Sequence, residues 1–136
     1  MSQHTPSTRF VNPSTIPQPV GYTHIVEVTG GRTIYISGQV ALDFAGNVVG
    51  PGDLRAQAQQ VFAHLQAALA AVDATFSHVV KLTFYLLDIS QMQVVRDVRN
   101  GYINTQQPPA STAVEVRRLF RDGLLIEVDA IAVIPL

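Results

Sequence analysis

Apolar and polar residues alternate, or apolar β-branched and aromatic residues cluster, in five segments of the chain. Both patterns are typical of β-strands. The segments are HIVEV, RTIYIS, HVVKLTFYLL, TAVEVRRLF and LLIEVDAIAVI. Thr29-Gly30-Gly31 separates the first two and predicts a hairpin, because glycine adopts positive φ without steric cost. Arg121-Asp122-Gly123 predicts a tight turn between the last two.

Two further segments have the three- and four-residue spacing of amphipathic helices. Asp53 can cap the first helix, whose apolar stripe consists of Leu54, Ala58, Val61, Phe62, Leu65, Ala68, Leu69 and Val72. The second helix is predicted to start at Asp88 or Ser90 and to bury Met92, Val95 and Tyr102. The predicted order is therefore ββαβαββ, an α+β fold with two helices on one face of a mixed sheet.

The first twenty residues have a different composition from the rest. Prolines forbid regular strand pairing, and four of them occur here, Pro6, Pro13, Pro17 and Pro19. We expect residues 1–20 to form an extended arm and residues 1–136 to form a single domain.

Composition narrows the classes of function. The net charge is −1 with no run of Lys or Arg, which argues against nucleic acid and anionic membranes as partners. The chain has neither a signal-peptide core nor an apolar stretch near the ~20 residues that span a bilayer, so we expect a cytoplasmic protein. Cysteine is absent, which excludes disulfides, thiolate metal sites and a cysteine nucleophile. Charged residues make up 14%, below the usual quarter or so, which suggests that other subunits cover part of the surface.

Two carboxylates interrupt the last strand. Glu127 and Asp129 point to one face of the strand, while its apolar residues point to the other. Like charges on one face repel each other, and a buried carboxylate without a partner is costly. A cation, backbone N–H groups, water or a ligand should therefore meet them.

Other candidate residues leave alternatives open. Ser37-Gly38-Gln39 ends an apolar strand, where glycine indicates either a β-bulge or the close approach of another backbone or a ligand. Arg117 and Arg118 would lie on opposite faces of their strand, one of them paired with an acidic side chain. Arg96 and Arg99 are one turn apart and predict a solvated helix face. No motif for binding phosphate or a metal is present.

Several of these segments together resemble one protein family. YISGQV, Gln59-Gln60-Val61-Phe62, VVKLTFYLLDISQM and PPASTAVEVRRL followed by IEVDAIAV are similar to the RidA (YjgF/YER057c/UK114) family. The resemblance runs from Tyr22 to the C-terminus. It implies a chorismate-mutase-like fold and a homotrimer with a central barrel. It also implies three clefts between subunits that take a small molecule, no cofactor, and hydrolysis of enamines and imines to 2-oxo acids and ammonia.

The resemblance also implies roles for individual residues. Glu127 matches the carboxylate that orients water, and the hydroxyl of Tyr22 would face the substrate. Ser37 and Gly38 would form the cleft wall. Asp129 would be structural, paired with Arg117 or Arg118.

One departure from the family pattern changes the expected substrate. Active imine deaminases carry arginine in a P-A-R-[ST] segment, which here reads Pro109-Ala110-Ser111-Thr112. Ser111 and Thr112 can bind a substrate, but a neutral hydroxyl cannot replace the bidentate grip of a guanidinium on a carboxylate. Arg96 could reach in from its helix. Two functions remain open: a hydrolase that acts on imine-like compounds other than standard 2-imino acids, and a non-catalytic protein that binds a small metabolite. Some family members are described as endoribonucleases, and the lack of a basic stripe argues against that here.

Overall fold

The structure is a computed structural model that describes residues 7–134. This part of the chain forms six strands and two α-helices. In chain order they are β1 (Ser7–Val11), β2 (Ile25–Thr29), β3 (Arg32–Val40), α1 (Leu54–Ala70), β4 (Val79–Leu86), α2 (Met92–Arg99), β5 (Ala110–Glu115) and β6 (Ile126–Ile134). The predicted order ββαβαββ is confirmed from β2 onward, and β1 is additional.

The main sheet is four-stranded, with the order β3-β6-β4-β5. The pairs β3–β6 and β4–β6 are antiparallel, whereas β4–β5 is parallel, so the predicted mixed sheet is confirmed. β6 lies in the interior of this sheet, between β3 and β4. Its alternate residues are buried, namely Ile126, Val128, Ala130, Ala132 and Ile134.

Both helices pack on the same side as the buried residues of the sheet. Asp53 caps α1, since its carboxylate accepts a hydrogen bond from the Ala56 N–H at 3.0 Å. The predicted stripe of α1 is buried at Leu54, Ala58, Val61, Phe62, Leu65 and Leu69. Asp88 caps a 3₁₀ turn (Ile89–Gln91) that leads into α2. Met92 and Val95 of α2 are buried in the same core.

The predicted hairpin between β2 and β3 is wrong. β2 pairs with β1 in a separate two-stranded sheet, with Val11 opposite Ile25 and Ser7 opposite Thr29. Gly30 and Gly31 do have positive φ, as turn glycines should. The residues that form β1 lie within the predicted arm, and its segment STRFV contains no proline, so nothing prevents it from pairing. The arm is therefore partly regular, and its residues 1–6 lie outside the described residues.

The strand predicted for TAVEVRRLF ends earlier than expected, at Glu115. β5 is an edge strand that pairs with β4 alone, and its last pair joins Glu115 to Leu86, the final residue of β4. Because β4 offers no further partner, Arg117 and Arg118 lie in a loop and are exposed rather than on two strand faces. Gly123 in the following turn has a φ of +90°.

Within residues 7–134, neither helix has the length and apolar character needed to cross a bilayer.

Candidate functional site

The two carboxylates of β6 lie on the sheet face that points away from the helices. Glu127 and Asp129 are half-buried there, between the buried residues of the opposite face. The Tyr85 hydroxyl donates a hydrogen bond to the Asp129 carboxylate at 3.0 Å. The predicted partners Arg117 and Arg118 are therefore wrong. Tyr85 lies directly opposite Glu127 in the β4–β6 register, which places its long side chain diagonally next to Asp129.

These surroundings raise the pKa values of Glu127 and Tyr85. Partial burial raises the pKa of Glu127, and the charge of Asp129 raises it further. The pKa of Tyr85 is raised mainly because its hydroxyl donates to Asp129, with desolvation adding to the effect. Glu127 is thus a carboxylate with increased basicity, which is the property expected of a group that accepts a proton from water.

Gly38 provides the space for Glu127. Ser37 and Gly38 lie in a β-bulge where the β3–β6 register shifts between Ile36 and Gln39. A Cβ atom at position 38 would overlap the carboxylate of Glu127. The bulge interpretation of the SGQ segment is therefore confirmed, whereas the close approach of a ligand stays a prediction. The group that approaches is the Glu127 side chain, and the Ser37 side chain beside it is exposed.

A second group of predicted residues lines a pocket of about 260 Å³ between α2 and β5. Tyr22, Arg96 and Ser111 all contribute to its wall. Ser111 faces the helix side because it pairs with Leu82, a buried residue of β4. Thr112, the next residue, faces the other side, where its hydroxyl accepts a hydrogen bond from Lys81 Nζ at 2.6 Å.

The segment before β2 positions Tyr22 at this pocket. The neighbouring Thr23 is buried, and its N–H donates to the Pro109 carbonyl at 3.3 Å while its hydroxyl donates to the Pro108 carbonyl. The His24 ring packs edge-on against Tyr22, with 5.3 Å between the ring centroids. These contacts attach Tyr22 to the segment that leads into Ser111.

The structure thus divides the predicted site into two groups. Tyr22, Arg96 and Ser111 share the helix-side pocket. Glu127, Gly38 and Thr112 lie at the open face of the sheet. Within a single chain these groups face opposite sides of the sheet, and their assignment as substrate contacts stays a prediction.

Arg99 was missed by the sequence analysis, which placed it on a solvated helix face. It is 5% exposed and lines the same pocket as Arg96. Its Nε and Nη2 donate to Asn100 Oδ1 at 3.2 and 2.9 Å. Burial lowers its pKa, and the nearby charge of Arg96 lowers it further. The signal was in the sequence, because Met92, Val95 and Arg99 have the three- and four-residue spacing of the buried stripe.

Within the described part of the chain, His, Asp and Glu side chains form no group of three suited to holding a metal ion. The half-buried His64 lies 2.7 Å from the Leu42 carbonyl and 3.2 Å from the Gln60 side chain, contacts that tie α1 to the loop after β3.

Comparison with known proteins extends these observations. The model of a family described as endoribonuclease L-PSP matches residues 14–134. The protein DfrA from Myxococcus xanthus is 42% identical over 118 residues, which cover 86% of this chain and 88% of DfrA. A protein from Capra hircus named 2-iminobutanoate/2-iminopropanoate deaminase is 36% identical over 126 residues, covering 92% and 89% of the two chains. The solved structure of the Rid-family protein YyfB from Yersinia pestis superposes with a TM-score of 0.82 at 36% identity and covers 93% of this chain and 98% of YyfB.

Proposed function

The chain belongs to the RidA (YjgF/YER057c/UK114) family, and we propose that it forms clefts for a small metabolite between its subunits. The reaction we propose is hydrolysis of an imine- or enamine-type acid, without a cofactor. The observation that carries the proposal is the pocket shared by Tyr22, Ser111 and Arg96. Arg96 brings a guanidinium to the place where Ser111 stands instead of the family's arginine, so a carboxylate can still be held.

A homotrimer would allow residues of two subunits to form one site, which the residues of a single chain do not form. The open face of the main sheet carries Tyr35, which is 78% exposed, and the partly exposed Val114. Ile131 and Val133 point to the same face as Glu127. We propose that the open faces of three subunits pack together and bring Glu127 of one subunit to the helix-side pocket of the next.

The proposed chemistry follows from the groups present. The carboxylate of the substrate would bind Arg96 in the pocket, and the Tyr22 hydroxyl would orient the substrate. Glu127 would accept a proton from a water molecule as the water oxygen bonds to the imine carbon. The C=N electron pair moves to the nitrogen, which takes up the proton held by Glu127 and so gives a carbinolamine. A second proton passes from the new hydroxyl to the nitrogen as the C–N bond breaks, so ammonia leaves and the product is a 2-oxo acid. The compartment proposed is the cytoplasm.

A non-catalytic binding protein is the second candidate. It is favoured by the separation of Glu127 from the pocket within one chain. Serine at position 111, where the family resemblance leads us to expect arginine, favours it too. RNA cleavage is not proposed, because the net charge is −1 and the chain has no basic run to neutralise phosphates.

Turnover and binding measured together test the proposal. Imines of several amino acids are generated in situ with an amino-acid oxidase, and formation of the 2-oxo acid is followed with and without the protein. We expect little acceleration for 2-iminobutanoate, because Arg96 reaches its carboxylate from α2 while Ser111 supplies no guanidinium, and clear acceleration for at least one other imine. Glu127→Gln should reduce that turnover by about 100- to 10,000-fold while keeping affinity for the 2-oxo acid.

The outcomes separate the candidates. Binding of 2-oxo acids without acceleration of any imine would support the non-catalytic protein. Failure of every 2-oxo acid to bind would contradict the proposed site itself.

A further inference from the structure

Two arginines, rather than one, line the pocket beside Ser111. Arg96 and Arg99 are three residues apart on α2, so their side chains leave the same face of the helix. Arg96 is half-buried and Arg99 is buried. A pocket of about 260 Å³ thus has two guanidinium groups on one wall.

Neither arginine is neutralised by the described part of the chain. In residues 7–134 the ion pairs are Arg9–Glu27 and Arg55–Asp97, so no carboxylate there pairs with Arg96 or Arg99. The protein acceptor of Arg99 is the neutral amide oxygen of Asn100. Two unpaired cations in a partly desolvated pocket are costly unless an anion joins them.

Arg99 also keeps donors free for a ligand. A guanidinium has five N–H donors, and the Asn100 oxygen is reached from Nε and Nη2. Nη1 makes no such bond, yet no buried side-chain nitrogen in the described residues lacks a partner. Nη1 is therefore not fully buried, although Arg99 as a whole is 5% exposed. Gly21 allows this placement, since a Cβ there would lie 3.2 Å from Nη2.

We propose that Arg96 and Arg99 together bind a dianion, and that the substrate class is a 2-imino acid with a second carboxylate. This inference rests on the proposed function and narrows its substrate. One carboxylate would contact Arg96 and the other Arg99, while the Ser111 hydroxyl supplies a neutral hydrogen bond. The pocket has two arginines from α2 in its lining, so the charge it complements is −2 rather than −1.

The test compares product-like acids that differ in charge. Isothermal titration of the wild-type protein measures affinity for 2-oxobutanoate, 2-oxoglutarate and inorganic phosphate. We expect 2-oxoglutarate to bind at least about tenfold more tightly than 2-oxobutanoate, a difference of about 1.4 kcal/mol. Phosphate, a compact dianion without two separate carboxylates, should bind more weakly than 2-oxoglutarate.

Variants then test whether Arg99 provides the second positive charge of the pocket. Arg99→Met should remove most of the preference for 2-oxoglutarate, so that its affinity falls toward that of 2-oxobutanoate. Arg32→Met is the matched control, because Arg32 is exposed at the start of β3 and lies outside the pocket. If Arg99→Met does not fold, Arg96→Met, at the half-buried position, should show the same loss of preference.

Each result decides between the proposals. Equal affinities for 2-oxobutanoate and 2-oxoglutarate would overturn the dianion inference and leave the small-metabolite site intact. A preference for 2-oxoglutarate that survives in folded Arg99→Met and in Arg96→Met would also overturn it. Tighter binding of phosphate than of 2-oxoglutarate would contradict the dicarboxylate class. If neither 2-oxo acid bound, the proposed function would fail as well.

Discussion

Glu127 and Asp129 are two residues apart on β6 and have different surroundings. Asp129 accepts a hydrogen bond from Tyr85, whereas Glu127 lies over Gly38 without a protein donor among the described residues. Desolvation without a donor drives Glu127 toward its neutral form. The same face of one strand therefore carries one acid with a side-chain donor and one acid without a protein donor among the described residues.

The raised pKa of Glu127 predicts how stability depends on pH. The folded protein binds a proton at Glu127 more tightly than the unfolded chain does. The resulting stabilisation is complete below the unfolded pKa of about 4.3. It is lost as the pH rises through the higher folded pKa. We expect Glu127→Gln to be as stable as the wild type or more stable at pH 7, with wild-type stability gaining on the variant as the pH falls toward 4.

Urea unfolding at several pH values measures this difference. Asp122→Asn, in the exposed turn before β6, is the matched control. A marked loss of stability in Glu127→Gln at pH 7 would instead indicate that a cation holds the carboxylate.

The bond between Tyr85 and Asp129 predicts two linked effects. Tyr85→Phe should lower the free energy of unfolding by about 1–2 kcal/mol, because it removes a hydrogen bond to a charged acceptor. Asp129→Asn should lower the pKa of Tyr85 toward its ordinary value, since that carboxylate is the main cause of the raised pKa. Ultraviolet titration of tyrosine ionisation, with Tyr85→Phe to identify the signal, measures the second effect. An unchanged titration would contradict the assigned bond.

Buried polar contacts between elements hold β6 in place. Gln57 of α1 is fully buried, and its side chain reaches the turn that precedes β6. Its Nε2 donates to the Gly123 carbonyl at 2.8 Å, and its Oε1 accepts from the Leu125 N–H at 2.8 Å. The two residues that follow this turn lead directly into β6, the strand that carries Glu127. The helix therefore helps to set the position of the carboxylates.

Replacing Gln57 tests this connection between elements. Gln57→Leu keeps most of the volume but leaves the Gly123 carbonyl and the Leu125 N–H without partners. We expect a loss of about 2–4 kcal/mol in the free energy of unfolding, because each unsatisfied buried group costs about 1–3 kcal/mol. Gln66→Leu, at an exposed position of the same helix, is the control and should change stability little. Thermal unfolding measures the melting temperatures of the two variants. Equal melting temperatures would contradict the role given to Gln57.

At the scale of the whole molecule, the main sheet has one covered face and one open face. The helices cover the face with Leu82, Phe84 and Val128. The open face presents Tyr35 and Val114 beside the carboxylates of β6. The proposed trimer would cover this apolar surface and join the two groups of site residues that a single chain separates.

A substitution on the open face tests the assembly. Light scattering of the wild type at micromolar concentration should give about three times the mass of one chain. Tyr35→Glu would place a charge in the proposed interface and should yield monomers, because burying an unpaired carboxylate is unfavourable. Gln66→Glu adds a charge on the exposed side of α1 and should leave the trimer intact. A monomeric wild type would remove the clefts between subunits.

The pattern of apolar and polar residues along the chain was sufficient to predict the helices and strands of the main fold. Strand alternation and helical spacing depend on neighbours only a few residues apart, so β3, β4, β6, α1 and the order from β2 onward follow from local sequence. The cap at Asp53 and the common face of Glu127 and Asp129 are equally local.

The tertiary structure decided which elements meet. β1 was available to pair with β2, β4 was too short to extend β5 past Glu115, and Tyr85 happened to lie across from the β6 carboxylates. Arg99 was on the buried stripe by spacing, yet only the packing of α2 against Gly21 and β5 shows that its charge enters a pocket. Pairing and burial are long-range properties, because they depend on the partners that the fold places beside each residue.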